Sequence, residues 1–289
     1  MKLAFCYMVH KMSPVLEHSV KILSQIGDII VHVDNRANIE DFHSIKDIVT
    51  FTENRIAVRW AGFPQIEADI ELLRMADQKN NYDFISMMSG ECMPIKTNSF
   101  IIDFFEKYKN KEFVSAVPDN DMIERRVKYI YPSYYSNKNR HLYQTLWILF
   151  TDRLPFIHRN PFLRKNPYFK SLPKLYKGAN WFTISGNCNR YILNYLNDNP
   201  DYLKAFEKSH CGDEIIFHTI IFNSRFKDNL YLEKGCESQL RYIDWETGPE
   251  YPKVLDESDY KHLSDSLDLF ARKISGRVEL NKYEELFLK

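Results

Sequence analysis

Hydrophobic and polar positions over the first ~115 residues switch regularly between two periods. "LAFCYMVH" (3–10) is a short continuous apolar run, the pattern of a buried strand, and "PVLEHSVKILSQI" (14–26) has helical spacing. "DIIVHVD" (28–34) predicts a strand ending in an acid, "IEDFHSIKD" a short helix and "IVTF" a short strand. "FPQIEADIELLRMADQ" (63–78) predicts an amphipathic helix with Ile66, Ile70 and Leu73 on one face. "FISMMS" predicts a strand, "NSFIIDFFEKY" a helix capped by Asn98, and "EFVSAV" a further strand. The alternation β-α-β-α-β-α-β-α-β predicts an α/β fold with a mostly parallel sheet covered on both faces. In such sheets ligands gather beyond the carboxyl ends of the strands. Here those ends carry His10 in "VHKM", Asp34 in "HVDN" and Glu91 in "MSGECMP".

After residue 118 the pattern breaks. One helix is expected around Leu142 to Leu149, then a strand at "NWFTIS" and helices at "NRYILNYLN" and "DEIIFHTIIFNS". The tail predicts a strand at "LRYIDW" and a helix at "DSLDLFARKI". The simplest organisation is one domain in two halves, 1–118 of nucleotide-binding type and 119–289 of substrate-binding type.

Composition narrows the class. The chain has 289 residues, 44% of them apolar, enough for one large core. The mean hydropathy of −0.43 and the shortness of every apolar run predict no membrane span. The first residues lack the apolar region and cleavage site of a signal peptide, so a cytoplasmic protein is expected. The five cysteines are scattered with no C-x-x-C pair, which predicts free thiols. The formal charge is zero but uneven: residues 125–177 hold 12 Lys/Arg against one acid, Asp152. Aromatic residues interleave with these bases, a composition that suits RNA, an anionic membrane surface or anionic substrate groups.

No glycine-rich phosphate loop, G-x-S-x-G or H-E-x-x-H occurs, so a phosphate would have to be met by Arg and Lys side chains. The "DND" of Asp119 and Asp121 reads either as a metal-holding pair or as a polar turn. Asp34 could accept from a base or ribose, or cap a turn. Trp60, just before a helix, could stack on a base or sugar, or simply pack. In "HCGDEIIFHTII" the acids Asp213 and Glu214 open an apolar helix. They are either anions stabilised by the helix dipole, or Glu214 is a general base projecting into a cleft. A metal pair of Glu214 with His218 would lack a visible third ligand.

"FCYMVHKMSPVLEHSVKILS", "VHVDNR", "RWAGFPQIEADIELL", "YDFISMMSGECMPIKT", "GANWFTIS", "CGDEIIFHTII", "LRYIDW" and "LDLFARKI" stand in one order. In that order the chain resembles the core-2/I-branching β-1,6-N-acetylglucosaminyltransferases and peptide O-xylosyltransferases, over almost its whole length but least across ~118–176. The resemblance implies a GT-A type Rossmann-like fold and an inverting transfer from a UDP-sugar, without a divalent metal or other cofactor. GlcNAc is the foremost donor sugar implied, with xylose the other precedent. By the same resemblance Glu214 is the catalytic base. Arg241 and Lys273 neutralise the diphosphate, and Asp34, Trp60 and His10 bind the nucleotide. Glu91, Trp181 and Asp213 line the acceptor or donor-sugar side, with Asp213 otherwise supporting Glu214 or capping the helix. Here Glu91 follows its glycine directly, a departure from the family's Gly-x-Asp. The likeness is to short bacterial members, which implies a role in capsule, lipopolysaccharide or other surface polysaccharide. The implied partners are a glycan acceptor on a lipid pyrophosphate carrier and an anionic membrane face, but no nucleic acid. Two alternatives stand beside this: a metal-dependent transferase using Asp119 and Asp121, and a non-catalytic glycan- or RNA-binding protein on the same fold.

Overall fold

The computed structural model describes residues 1–116, 121–136, 141–153, 163–232, 239–249 and 251–288. Strands β1 (Leu3–Val9), β2 (Asp28–Val33), β3 (Thr50–Phe51) and β4 (Phe84–Ser89) alternate with helices α1 (Pro14–Leu23) and α2 (Phe63–Lys79). Then follow β5 (Met93–Pro94), α3 (Asn98–Lys107), α4 (Asp121–Lys128) and α5 (Leu142–Arg153). The rest of the chain gives β6 (Thr183–Ser185), α6 (Gly186–Asp198), α7 (Pro200–Phe206), α8 (Asp213–Phe222) and β7 (Arg241–Tyr242). It ends in α9 (Tyr260–Asp265), β8 (Phe270–Ala271) and α10 (Leu280–Phe287).

The main sheet has the order β3-β2-β1-β4-β6, parallel throughout except for the antiparallel β4–β6 pair. This is the mixed α/β architecture expected, and β6 ties the second half of the chain into the sheet of the first. Alternation along β1 explains the two-sided core. Ala4 and Cys6 enter one cluster with α2, α6 and α8, whereas Leu3, Phe5, Tyr7 and Val9 enter another with α1 and α3. A small second sheet, β5-β8-β7, packs with α9 and α10 in a third cluster. Among the described residues no helix is long and apolar enough to cross a membrane. Cys6, Cys92, Cys188 and Cys211 are free thiols; Cys236 lies outside the described residues.

Three local expectations are corrected. The cap of α3 is Thr97, whose hydroxyl accepts from the Phe100 amide, and Asn98 is already inside the helix. "EFVSAV" makes isolated bridges, Glu112 to Leu230 and Phe113 to Thr183, instead of a strand. Its Glu112 carboxylate takes the Ser185 amide at 2.7 Å, so a side chain occupies a donor a ladder would use. "DSLDLFARKI" is not a helix: its consecutive Leu269, Phe270 and Ala271 are fully buried, and Phe270–Ala271 forms the central strand of the small sheet. A run buried on every side suits a strand between two neighbours.

Candidate functional site

Glu214 is the second residue of α8, whose Ile215, Ile216, Phe217, Ile220 and Ile221 are buried. Burial of each is worth about 1.5–3 kcal/mol, so the helix is a rigid mount for its first turn. The Glu214 carboxylate is one-third exposed (32%). Arg126 of α4 donates to its Oε2 at 2.6 Å and Lys177 Nζ lies 3.1 Å from the same oxygen. Oε1 has no partner of this kind among the described residues, and it is the oxygen left to meet a hydroxyl.

The segment carrying Lys177 is locked from behind. The Gly178 amide donates to the Glu214 carbonyl at 2.9 Å. A Cβ on Gly178 would stand 2.0 Å from the Ser115 carbonyl oxygen and 2.3 Å from the His218 ring, so only glycine allows this approach. His218 is fully buried and burial pushes its imidazole down to about 3, holding it neutral. Among the described residues no group of three His, Cys, Asp or Glu could hold a metal ion. Asp119 lies outside the described residues, and of Asp121 only the backbone at the start of α4 is described.

Four residues on from Lys177, Trp181 lies beneath the Arg272 guanidinium, 5.2 Å from ring centroid to charge. A four-residue stretch reaches at most about 14 Å, so Glu214 and Arg272 flank one short segment. Arg272 Nε also donates to Ser89 Oγ at 3.0 Å at the end of β4. Glu91 lies 3.9 Å from Arg272 Nη2 and 3.8 Å from Lys273 Nζ. Two adjacent cations, one acid and one indole therefore meet beyond the carboxyl end of β4. The loop after β7 borders this cluster: Tyr242 O accepts from the Arg272 amide, and the Leu255 amide donates to Lys273 O. That loop exposes Trp245 (60%) and Tyr251 (58%).

Arg241 is not part of the cluster. It is fully buried, its guanidinium donating to the carbonyls of Gln239 and Met87 and stacking 5.3 Å over Phe270. Burial pulls its pKa down to about 10. Along β7 Arg241, expected to face a diphosphate, points inward and braces β4 against the small sheet. Asp34 is 3% exposed and accepts from the Arg36 amide, the Arg36 guanidinium and the Val58 amide. Its four acceptor positions are thus filled, so a uridine would have to displace Arg36 to reach it. Asp213 does not cap α8. The cap is Gly212, and Asp213 is buried with Oδ2 accepting from Gln65 Nε2 at 2.9 Å, out of reach of a sugar. His10 is exposed after β1, and Trp60 is 53% exposed before α2, edge-on to His210 at 6.3 Å.

The family model of the Core-2/I-Branching enzymes matches residues 3–264, nearly the whole chain. The chain belongs to the Core-2/I-Branching enzyme family. Over 246 residues it is 24% identical to a rat protein named xylosyltransferase 1, covering 81% of this chain and 26% of that protein. Over 151 residues it is 21% identical to a human N-acetyllactosaminide β-1,6-N-acetylglucosaminyl-transferase, covering 50% of this chain and 38% of that protein. The chain thus spans well under half the length of these curated relatives.

Within this Core-2/I-Branching chain, sequence reasoning missed Arg126, Lys177 and Arg272. Arg126 and Lys177 lie far from Glu214 in sequence, inside a basic stretch where nothing marks two bases out from the other ten. Arg272 was legible in principle, because it immediately precedes Lys273 in "FARK".

Proposed function

We propose that this chain is an inverting glycosyltransferase that moves a sugar, GlcNAc first among the candidates, from a UDP-sugar to a hydroxyl of a glycan acceptor. The observation that carries the reading is the separation of one open carboxylate oxygen, Glu214 Oε1, from an adjacent cation pair, Arg272 and Lys273, by a single locked segment. Glu214 takes the proton of the acceptor hydroxyl. The acceptor oxygen attacks the anomeric carbon from the face opposite the nucleotide, and the bond to the diphosphate breaks. The electron pair leaves on the phosphate oxygen, beside Arg272 and Lys273, which stabilise charge that appears only as the bond breaks. Lys177 and Arg126 hold Glu214 by its other oxygen, and exposed Trp60 and Trp245 offer flat faces to a base or sugar.

The test is transfer and UDP-sugar turnover against a panel of UDP-sugars, with and without EDTA. Activity in EDTA is expected, because Lys and Arg supply the charge; loss in EDTA would support the metal-dependent alternative at Asp119 and Asp121. Glu214→Gln should lower turnover by about 10²–10⁴ with UDP binding retained. A fully active Glu214→Gln would sink the base assignment.

A lipid-carried acceptor in surface-polysaccharide synthesis is the second part of the reading. α5 exposes Leu142 (75%), Tyr143 (67%) and Leu146 (57%), and Arg164, Lys165 and Lys170 are exposed in the same basic stretch. Apolar anchors with nearby cations suit an anionic bilayer face. Arg159, in the same stretch, lies outside the described residues. Replacing Arg164, Lys165 and Lys170 by Gln should weaken sedimentation with anionic liposomes; unchanged sedimentation removes this part.

A further inference from the structure

Behind Glu214 lies a group of buried polar side chains that the transfer as described does not use. Asp69 of α2 is 1% exposed, Asp213 of α8 is 5% exposed and Asn180 of the Lys177–Trp181 segment is 7% exposed. Gln65 bridges the first two elements: its amide nitrogen donates to Asp213 Oδ2 at 2.9 Å, and its amide oxygen accepts from the Ala61 amide at 3.3 Å. Asp69 lies one turn beyond Gln65 on the same face of α2, which directs it toward the same end of α8. Both Asp69 oxygens, Asp213 Oδ1 and both amide atoms of Asn180 lack a hydrogen bond of ordinary geometry. Two carboxyls this deeply buried, with three of four oxygens unspent, are costly as two anions. A native interior meets such groups with a shared proton or internal water.

We propose that Asp69 and Asp213 form a buried carboxyl pair that retains a proton behind Glu214 and positions the base. The proposal rests on the assignment of Glu214 as the base and names residues that act through it. With the proton in place, Glu214 is the one full anion at the start of α8, and the dipole, Arg126 and Lys177 all serve that anion. When the pair ionises, a second negative charge arises one residue away, in the field of the same Arg126 and Lys177 that hold Glu214.

The charged groups around the pair agree with this. Burial first, and then the neighbouring Glu214, push Asp213 up to about 7 against the opposing Arg126 and Lys177. Burial also holds Asp69 well above the carboxylate range, Asp213 adds to the rise, and the Asn180 side chain opposes it. His218, one turn along α8, stays neutral and adds no charge. The Cys211 thiol before α8 is pushed up to about 12 by burial, with Asp213 next, so it too is uncharged near neutral pH.

The experiment is a pH–rate profile of kcat and kcat/KM for wild type, Asp213→Asn and Asp69→Asn, with Glu214→Gln as the control. Wild type should show an inflection near pH 7. Asp213→Asn should lose it, and Asp69→Asn, which takes away the other carboxyl of the pair, should move it. A purely structural role would lower rates without moving the profile. Unmoved profiles in both Asn variants, alongside an inactive Glu214→Gln, would overturn this proposal and leave the base assignment standing. An active Glu214→Gln would instead remove the base assignment. Independently of how the Asn variants fold, the wild-type protein labelled with ¹³C at the Asp carboxyls gives a second reading. Two carboxyl signals titrating above pH 6, assigned to Asp69 and Asp213, support the pair; titration of all Asp signals below about pH 5 overturns it.

Discussion

The amide of Cys211 donates to the carbonyl of Ala61 at 3.0 Å, and both residues hold left-handed backbone, with φ of 51° and 58°. One residue precedes the cap of α8 and the other the cap of α2. This hydrogen bond, together with that from Gln65 to Asp213, fastens the starts of the two helices that carry Glu214 and its support. Non-glycine residues in this conformation cost on the order of 1–2 kcal/mol each, and the packed surroundings hold them there.

A substitution pair at Ala61 tests that latch. Ala61→Gly removes the backbone strain but adds chain entropy to the unfolded state, so stability should stay within about 1 kcal/mol of wild type. Ala61→Val brings a β-branched residue into a left-handed turn that is 2% exposed, and should cost on the order of 2 kcal/mol. Thermal unfolding read beside transfer rates checks both. Equal melting temperatures for the Gly and Val variants would refute the latch.

The two arginines should separate cleanly. Arg272→Ala or Lys273→Ala should cost about 10²–10³ in kcat with a nearly unchanged melting temperature. Arg241→Met should leave the carbonyls of Met87 and Gln239 without their donor and cost on the order of 2–3 kcal/mol of stability. Calorimetric unfolding with UDP titration distinguishes the outcomes. A stable Arg241→Met that cannot bind UDP would restore Arg241 to the diphosphate.

Gly178→Ala should be severe for its size. Its methyl would meet a backbone carbonyl at 2.0 Å, and the segment bearing Lys177 and Trp181 would have to move. The expected result is a destabilisation of about 2–3 kcal/mol or more with a large loss of turnover. Wild-type activity in this variant would show that the segment does not position the site.

Acid should loosen the loop after β2. Burial pushes the Asp34 carboxyl up, but the Arg36 side chain, the Arg36 amide and the Val58 amide outweigh it and leave the pKa below its usual value. A depressed carboxylate contributes stability above its unfolded pKa of about 4, and that contribution is lost as pH falls through the folded value. Hydrogen exchange at the Val58 amide should therefore accelerate below about pH 4, and Asp34→Asn should remove that acid dependence. An amide equally protected from pH 6 to pH 3 would contradict this.

The order of strands and helices was legible because β1, β2 and β4 are short runs buried on both faces, and a short apolar run between helical stretches has few other readings. Glu214 was legible too, as an acid opening an apolar helix within an ordered set of motifs. "LDLFARKI" misled because a three-residue apolar run fits a helix as well as a strand when its neighbours are unknown. Its partners on either side, Met93 and Pro94 of β5 and Arg241 and Tyr242 of β7, decide for the strand.

The sequence by itself determined the α/β layering, the family and the acid at the head of α8, since each depends on local periodicity or motif order. The tertiary structure decided which charges meet. Strand alternation turns Arg241 into the core, and the close approach at Gly178 brings Lys177 onto Glu214. Chain reversal after α9 sets Arg272 and Lys273 beside Glu91 and Trp181. Burial, which no local pattern specifies, makes Asp69 and Asp213 a pair. Electrostatic partnership depends on distance and desolvation, and both are properties of the packed chain.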